Sequence, residues 1–191
     1  MQGIPLNERK RLGALLDDRP QTEVMAMIPQ FSQAETDNFV APPAQIPEAL
    51  GVLMFNMERG VNLPEIQEFL RDCPDIQPFD VILANELDDG CARSGNKNTA
   101  RELAQAFGLN YAWGLEFIEL VNDENAKGFH GNAVFSRWPI RRAGVIRLPE
   151  QYNWYFDRQK RIGGRLAVFA ELDVGGQPVG AVSIHLENRT H

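Results

Sequence analysis

The sequence predicts a mixed α/β domain built on two packed sheets. Three observations carry that expectation. Apolar strand-like runs alternate with helical stretches between residues 52 and 107, strands alone follow after Gly108, and 191 residues suffice for one sizeable core. With 43% hydrophobic and 24% charged residues, the composition is that of an ordinary globular protein.

Pro5 opens a short amphipathic helix carrying Leu6, Leu12, Leu15 and Leu16, after which periodicity fades through Gln45. Pro42, Pro43 and Pro47 favour extended backbone. Residues 1–45 therefore read as an amino-terminal helix and extended linker, and residues 46–191 as the compact domain.

VLMF at 52–55 reads as a buried strand. LPEIQEFLRDCP reads as a helix, with Pro64 in its first turn, Ile66, Phe69 and Leu70 on one face, and Pro74 past its end. Val81 to Ala84, within DVILANELDDG, lack polar alternation and suit a strand covered on both faces. Thr99 and Glu102 have capping-box spacing for a second helix, with Leu103 and Phe107 inward and Gly108 as its stop. Strands then follow in NYAWGLEFIEL, NAVFS, AGVIRL, RLAVFAELDV and PVGAVSIHLE, the last two joined across Gly175 and Gly176 like a hairpin.

Composition narrows the function classes. Lys and Arg number 19 against 26 acidic residues, a net charge of −7, so no global basic field draws in nucleic acid and a phosphate-bearing ligand needs local help such as a metal ion. Cys73 and Cys91 have no CxxC spacing, which argues for a reducing compartment and against a zinc knuckle. The first residues become charged too early for a signal peptide and no apolar run reaches membrane-spanning length, so a cytoplasmic protein without a transmembrane segment is expected. No nucleophile elbow, phosphate-binding loop or dinucleotide fingerprint occurs.

A right-handed strand-helix-strand crossover makes the first two strands parallel, so their carboxyl ends become neighbours. Those ends carry Asn56, with Glu58 beyond it, and Asn85 with Glu86. A carboxylate and a carboxamide there supply the oxygen ligands and hydrogen bonds that Mg²⁺ and a phosphate need. Glu86 could equally be a loop carboxylate closing the strand, and Asn56 a turn residue satisfying its own backbone. His185 ends a third apolar strand and can donate to a phosphoryl oxygen, relay a proton, bind a metal or serve a structural bond. His130 and His191 read as structural or surface residues. YNWYFDRQKR either grips a nucleic acid or headgroup or is a surface loop whose Trp154 and Phe156 pack down, and Arg165 is either an anion-binding residue or a strand-edge charge.

Taken in order, VLMFNMERG, DVILANELDDG, GNAVFSRWPI and VSIHLEN resemble the endonuclease/exonuclease/phosphatase superfamily of metal-dependent phosphoesterases, across about residues 46–189. The resemblance implies a four-layer α/β/β/α sandwich of two mixed sheets flanked by helices. It implies catalytic roles for His185 and Asn56, with Glu86 holding Mg²⁺ or Mn²⁺ and Asn132 shaping the site. It also implies a phosphoester substrate, with nucleic acids and phospholipid headgroups among the candidates; no obligate protein partner is inferred.

The superfamily places an Asp-x-Asn motif and a Ser-Asp-His-like motif after the His, whereas this sequence ends at HLENRTH. The expectation is a domain incomplete at its carboxy terminus, inactive as this chain alone, with unpaired strand edges and an uncovered apolar face. The alternative function is a non-catalytic binding or scaffold module on the same fold.

Overall fold

Alternating burial along the strands sorts the chain into two sheets lying face to face. The computed structural model describes residues 1–188; His191 lies outside them. Helices α1 (Leu6–Ala14) and α2 (Gln21–Ala26) precede strand β1 (Ala34–Asp37). The crossover follows as β2 (Val52–Arg59), α3 (Leu63–Asp72) and β3 (Val81–Asp89), then α4 (Thr99–Phe107). The remainder is β4 (Asn110–Glu119), β5 (Phe129–Ser136), β6 (Ile140–Arg147), β7 (Arg161–Gly163), β8 (Leu166–Val174) and β9 (Gln177–Ile184).

The larger sheet has the order β1-β4-β5-β3-β2, with β7 also pairing β4, and the smaller has the order β6-β8-β9. β2 and β3 run parallel as the crossover requires, and the other pairings are antiparallel. On β3, Ile82 and Ala84 join the core under α3 and α4, while Val81 packs between the sheets with Val134, Leu166 and Val168. Helices, large sheet and small sheet make three of the four layers that the resemblance implies, and no described α-helix packs into the core between the sheets. No helix among the described residues is long and apolar enough to cross a membrane.

Three local expectations change. Residues 1–45 are not an appendage: β1 pairs with β4, and Leu12, Leu16, Val24, Ile28 and Phe31 enter the main core. Their periodicity is weak because short helices and turns, not one long face, deliver these side chains. β2 is an edge strand, so VLMF is covered on one face only; Val52 and Met54 are 56% and 70% exposed while Phe55 stacks on Phe69 at 5.8 Å. Asn98, not Thr99, caps α4 by accepting from the Arg101 N–H, and the Thr99 hydroxyl donates instead to the Asp88 carbonyl. Gly108 stops that helix in the left-handed region at φ 59°.

Apolar side chains Val182, Ile184 and Leu186 also stand exposed along and just beyond β9, the outer strand of the small sheet. The β8–β9 turn needs its two glycines, whose φ values are 58° and 89°. Gly114 of β4 answers a different need, since a Cβ there would lie 2.5 Å from Val145 Cγ1 and 3.0 Å from Val168 Cγ2 of the facing sheet. Gly114→Ala should therefore destabilise the domain by about 1–3 kcal/mol, read as a lower urea midpoint with an unchanged slope.

Candidate active site

Regular strands would carry their side chains past one another to alternate faces, yet three strands of the large sheet break register at the same end. The breaks fall between Asn56 and Arg59 on β2, between Ala84 and Leu87 on β3, and between Leu115 and Phe117 on β4. Each inserts extra backbone and re-aims a polar side chain. Arg59 and Glu86 hold left-handed φ values of 66° and 58°, an unfavourable conformation for residues with a Cβ, of the kind that clusters at functional sites.

The bulge on β3 is fastened from two sides. The Glu86 N–H donates to Asn132 Oδ1 of β5 at 3.2 Å. Asn85 points the other way, donating to the Ile184 carbonyl at 3.4 Å and accepting from the Ser183 hydroxyl at 3.2 Å; that hydroxyl also reaches the Ala84 carbonyl at 3.0 Å. This clasp ties β9 to β3 across the two sheets. It brings His185, one residue past β9, to Glu86, with Nε2 3.8 Å from Oε1.

Glu86, His185 and Arg165 line one open cavity of about 500 Å³, together with Arg59, His130 and Arg158. Asn56 does not line it. It pairs in register with Asn85 one strand away, and its Oδ1 accepts from the Glu58 N–H at 2.9 Å, the self-satisfying turn weighed in the sequence. Arg165 reaches the cavity with its donors engaged: Nη1 lies 3.1 Å from Glu116 Oε1 and 3.0 Å from His185 Nδ1, and Nε 3.2 Å from Glu187 Oε2. The aromatic loop divides between its two readings. Trp154 is buried and donates to Glu187 Oε2 at 2.7 Å, whereas Phe156 is 71% exposed.

Sequence reasoning missed the buried half of the site. Glu116, at the β4 bulge, is fully buried; its Oε2 has no hydrogen-bond partner and lies 3.8 Å from His130 Nε2 and 3.7 Å from His185 Nδ1. Burial pushes this carboxyl up, but the neighbouring His185, His130 and Arg165 side chains outweigh it and hold the pKa below the ordinary carboxylate value. His130 is buried and its Nδ1 lies 2.9 Å from Asp88 Oδ1, with Arg93 bidentate on the same carboxylate. Acids and imidazoles thus alternate from the interior to the cavity: Asp88, His130, Glu116, His185, Glu86. The available signal was a charged residue inside the otherwise apolar run WGLEFIEL. An Asp-x-Asn triplet does occur, at Asp123 to Asn125, but it lies between β4 and β5 away from the cavity, with Asp123 paired to Lys10 and Asn125 bonded to Ala92 and Arg9.

Among the described residues, neither Arg59 nor Arg158 has a hydrogen-bonded or ion-paired acidic partner, and the buried Arg59 Nε is unpartnered. The Glu86 carboxylate likewise accepts no hydrogen bond there, its nearest facing ring nitrogen being His185 Nε2 at 3.8 Å. The described residues contain no cluster of three or more His, Cys, Asp or Glu able to hold a metal. A single open carboxylate fits a divalent ion that keeps most of its water shell and completes its ligands with substrate oxygens, the habit of Mg²⁺.

The fold, two sheets face to face with helices outside the larger, is one seen in solved endonuclease/exonuclease/phosphatase proteins. The chain is similar to the crystal structure of an endonuclease/exonuclease/phosphatase from Beutenbergia cavernae DSM 12333, with a TM-score of 0.51 and 22% identity, over 71% of this chain and 37% of that one. An endonuclease/exonuclease/phosphatase family protein from Leptotrichia buccalis C-1013-b gives 0.49 and 19% over 73% of this chain and 55% of that one. The 3′ phosphatase NExo from Neisseria, bound to product DNA hairpin, gives 0.39 and 19% over 72% and 41%. The chain therefore spans between about a third and just over half of the length of these neighbours. No protein-family model and no curated protein matches it.

Asp88 generates a stability prediction. Burial acts to raise its carboxyl, but the hydrogen bonds with His130 and Arg93 pull it from 3.8 down to about 2. A depressed carboxylate stabilises the fold above its unfolded pKa, and that contribution drains as pH falls toward the folded value. Wild type should lose about 2 kcal/mol between pH ~4 and ~2 from this group. Asp88→Asn should lack that component and be less stable at neutral pH by roughly 3 kcal/mol, as measured by urea unfolding across pH.

Proposed function

We propose that this chain forms a phosphoester-hydrolysing site, with the phosphoryl group seated in the cavity between Glu86 and His185. The observation that supports this reading most is convergence: the bulged strands β2 and β3, the end of β9 and the loop before β7 bring an open carboxylate, an imidazole and two arginines without acidic partners among the described residues to one mouth. On a chain of net charge −7, such a local excess of cations favours an anion.

Arg59 and Arg158 bind the non-bridging phosphoryl oxygens. His185 donates a hydrogen bond to an oxygen on which negative charge builds, stabilising the transition state more than the ground state. Asn56 lies outside this cavity with its Oδ1 committed to its own turn, so its amide N–H₂ is left for a part of the substrate that extends beyond the phosphoryl group toward β2. Asn132 holds the Glu86 backbone in the conformation that turns its carboxylate into the cavity. Glu86 would hold Mg²⁺ or Mn²⁺, which would supply Lewis-acid chemistry there.

The test is hydrolysis of a panel of DNA, nucleotide and phospholipid diesters, with Mg²⁺ or with EDTA, by the longest protein that carries this chain, since this chain alone is expected to be inactive. The expected outcome is product release that stops on chelation and falls roughly 100-fold or more in Glu86→Gln. Hydrolysis indifferent to both EDTA and Glu86→Gln would remove the assignment, and tight phosphodiester binding with no turnover would put a non-catalytic binding module in its place.

A further inference from the structure

Arg165 meets a nitrogen, not a carboxylate, at its most consequential contact. Its Nη1 lies 3.0 Å from His185 Nδ1. A guanidinium has five N–H donors, no acceptor, and keeps its proton in proteins, so the imidazole nitrogen must be the acceptor. A neutral ring that accepts at Nδ1 carries its hydrogen on Nε2. Nε2 is the atom that faces Glu86 and the cavity. Glu116 Oε2 does not offer Nδ1 an alternative hydrogen bond, since 3.7 Å is too long.

The guanidinium itself is held from several directions. Glu116 Oε1 and Glu187 Oε2 take Nη1 and Nε, and the plane lies over the rings of Phe117 and Trp154, with centroids 5.5 and 5.6 Å away. Only a tenth of the Arg165 side chain is exposed, which leaves it little freedom to reach a ligand.

We propose that Arg165 is a positioning residue: held by Glu116, it fixes His185 as the Nε2–H tautomer, so that the imidazole presents an uncharged hydrogen-bond donor to the cavity. The locked ring has no lone pair facing the cavity, and His185 therefore donates to its ligand and does not take a proton from an attacking water. His130 provides the opposite case in the same chain. Its Nδ1 faces the ionised Asp88 carboxylate at 2.9 Å, which requires the hydrogen on Nδ1. The consequence for catalysis rests on the phosphoester reading, whereas the tautomer does not.

Long-range ¹H–¹⁵N correlation spectra of the ¹⁵N-histidine-labelled chain, recorded where the rings are neutral and assigned with His185→Gln, read both tautomers directly. The expected result is Nε2–H for His185 and Nδ1–H for His130. Arg165→Met should convert His185 to a mixture of tautomers, while Arg165→Lys, which restores one donor, should retain more of Nε2–H. A wild-type His185 protonated at Nδ1 overturns the proposal, and so does an Arg165→Met chain whose His185 stays fully Nε2–H. Should Arg165→Met fail to fold, the wild-type spectrum decides alone. Added inorganic phosphate should shift the His185 Nε2 resonance. The locked tautomer without that shift would count against the phosphoester reading and leave the role of Arg165 standing.

Discussion

A carboxylate removed from water has to be compensated where it stands, and Glu116 is that carboxylate here. It is fully buried at the bulge of a central strand, where no solvent can stabilise its charge. Burial of one unpaired charge costs several kcal/mol, so the groups around it are constrained to be donors or cations. Arg165, just before β8, is the donor that reaches it at 3.1 Å, while His185 past the end of β9 and His130 of β5 face its other oxygen at 3.7 and 3.8 Å. The position of one acid therefore dictates how the two sheets meet at the mouth of the sandwich.

The same logic extends inward and outward. Asp88 compensates and is compensated by His130 and Arg93, Arg93 continues to Glu119, and Glu119 to Arg161. Buried ionic networks of this kind add little net stability over an apolar packing, but each member specifies the orientation of the next. Outward, the ladder ends at Glu86 and His185, which are partly exposed and open to a ligand. Rigidity inside and accessibility at the rim are what a site needs to hold a geometry while admitting an anion.

Bulges are the device that makes the ladder possible on a sheet. A regular strand presents every second residue to one face, so β3 would alternate apolar residues without concentrating charge. The shifts on β2, β3 and β4 occur together at one end, and they turn Arg59, Glu86 and Glu116 out of the alternation. Away from that end the sandwich is ordinary, with Gly114 removed of any side chain so that Val145 and Val168 can approach.

The sequence by itself determined the order of elements from β2 to β6, the parallel β2–β3 pair, the hairpin at Gly175 and Gly176 and the strand that His185 ends, because apolar periodicity and turn chemistry are local properties; β1 and β7 went unread, and Glu86, expected past the end of its strand, lies within β3 at the bulge. It misplaced residues 1–45, whose core contacts are made by short elements with weak periodicity. Only the tertiary structure decided that Asn85 clasps the sheets while Glu86 faces the cavity, since a bulge reverses the facing of neighbouring residues without changing their identity. Glu116, His130 and Asp88 came from three separate strands, and nothing local records that their charges would meet in one buried line.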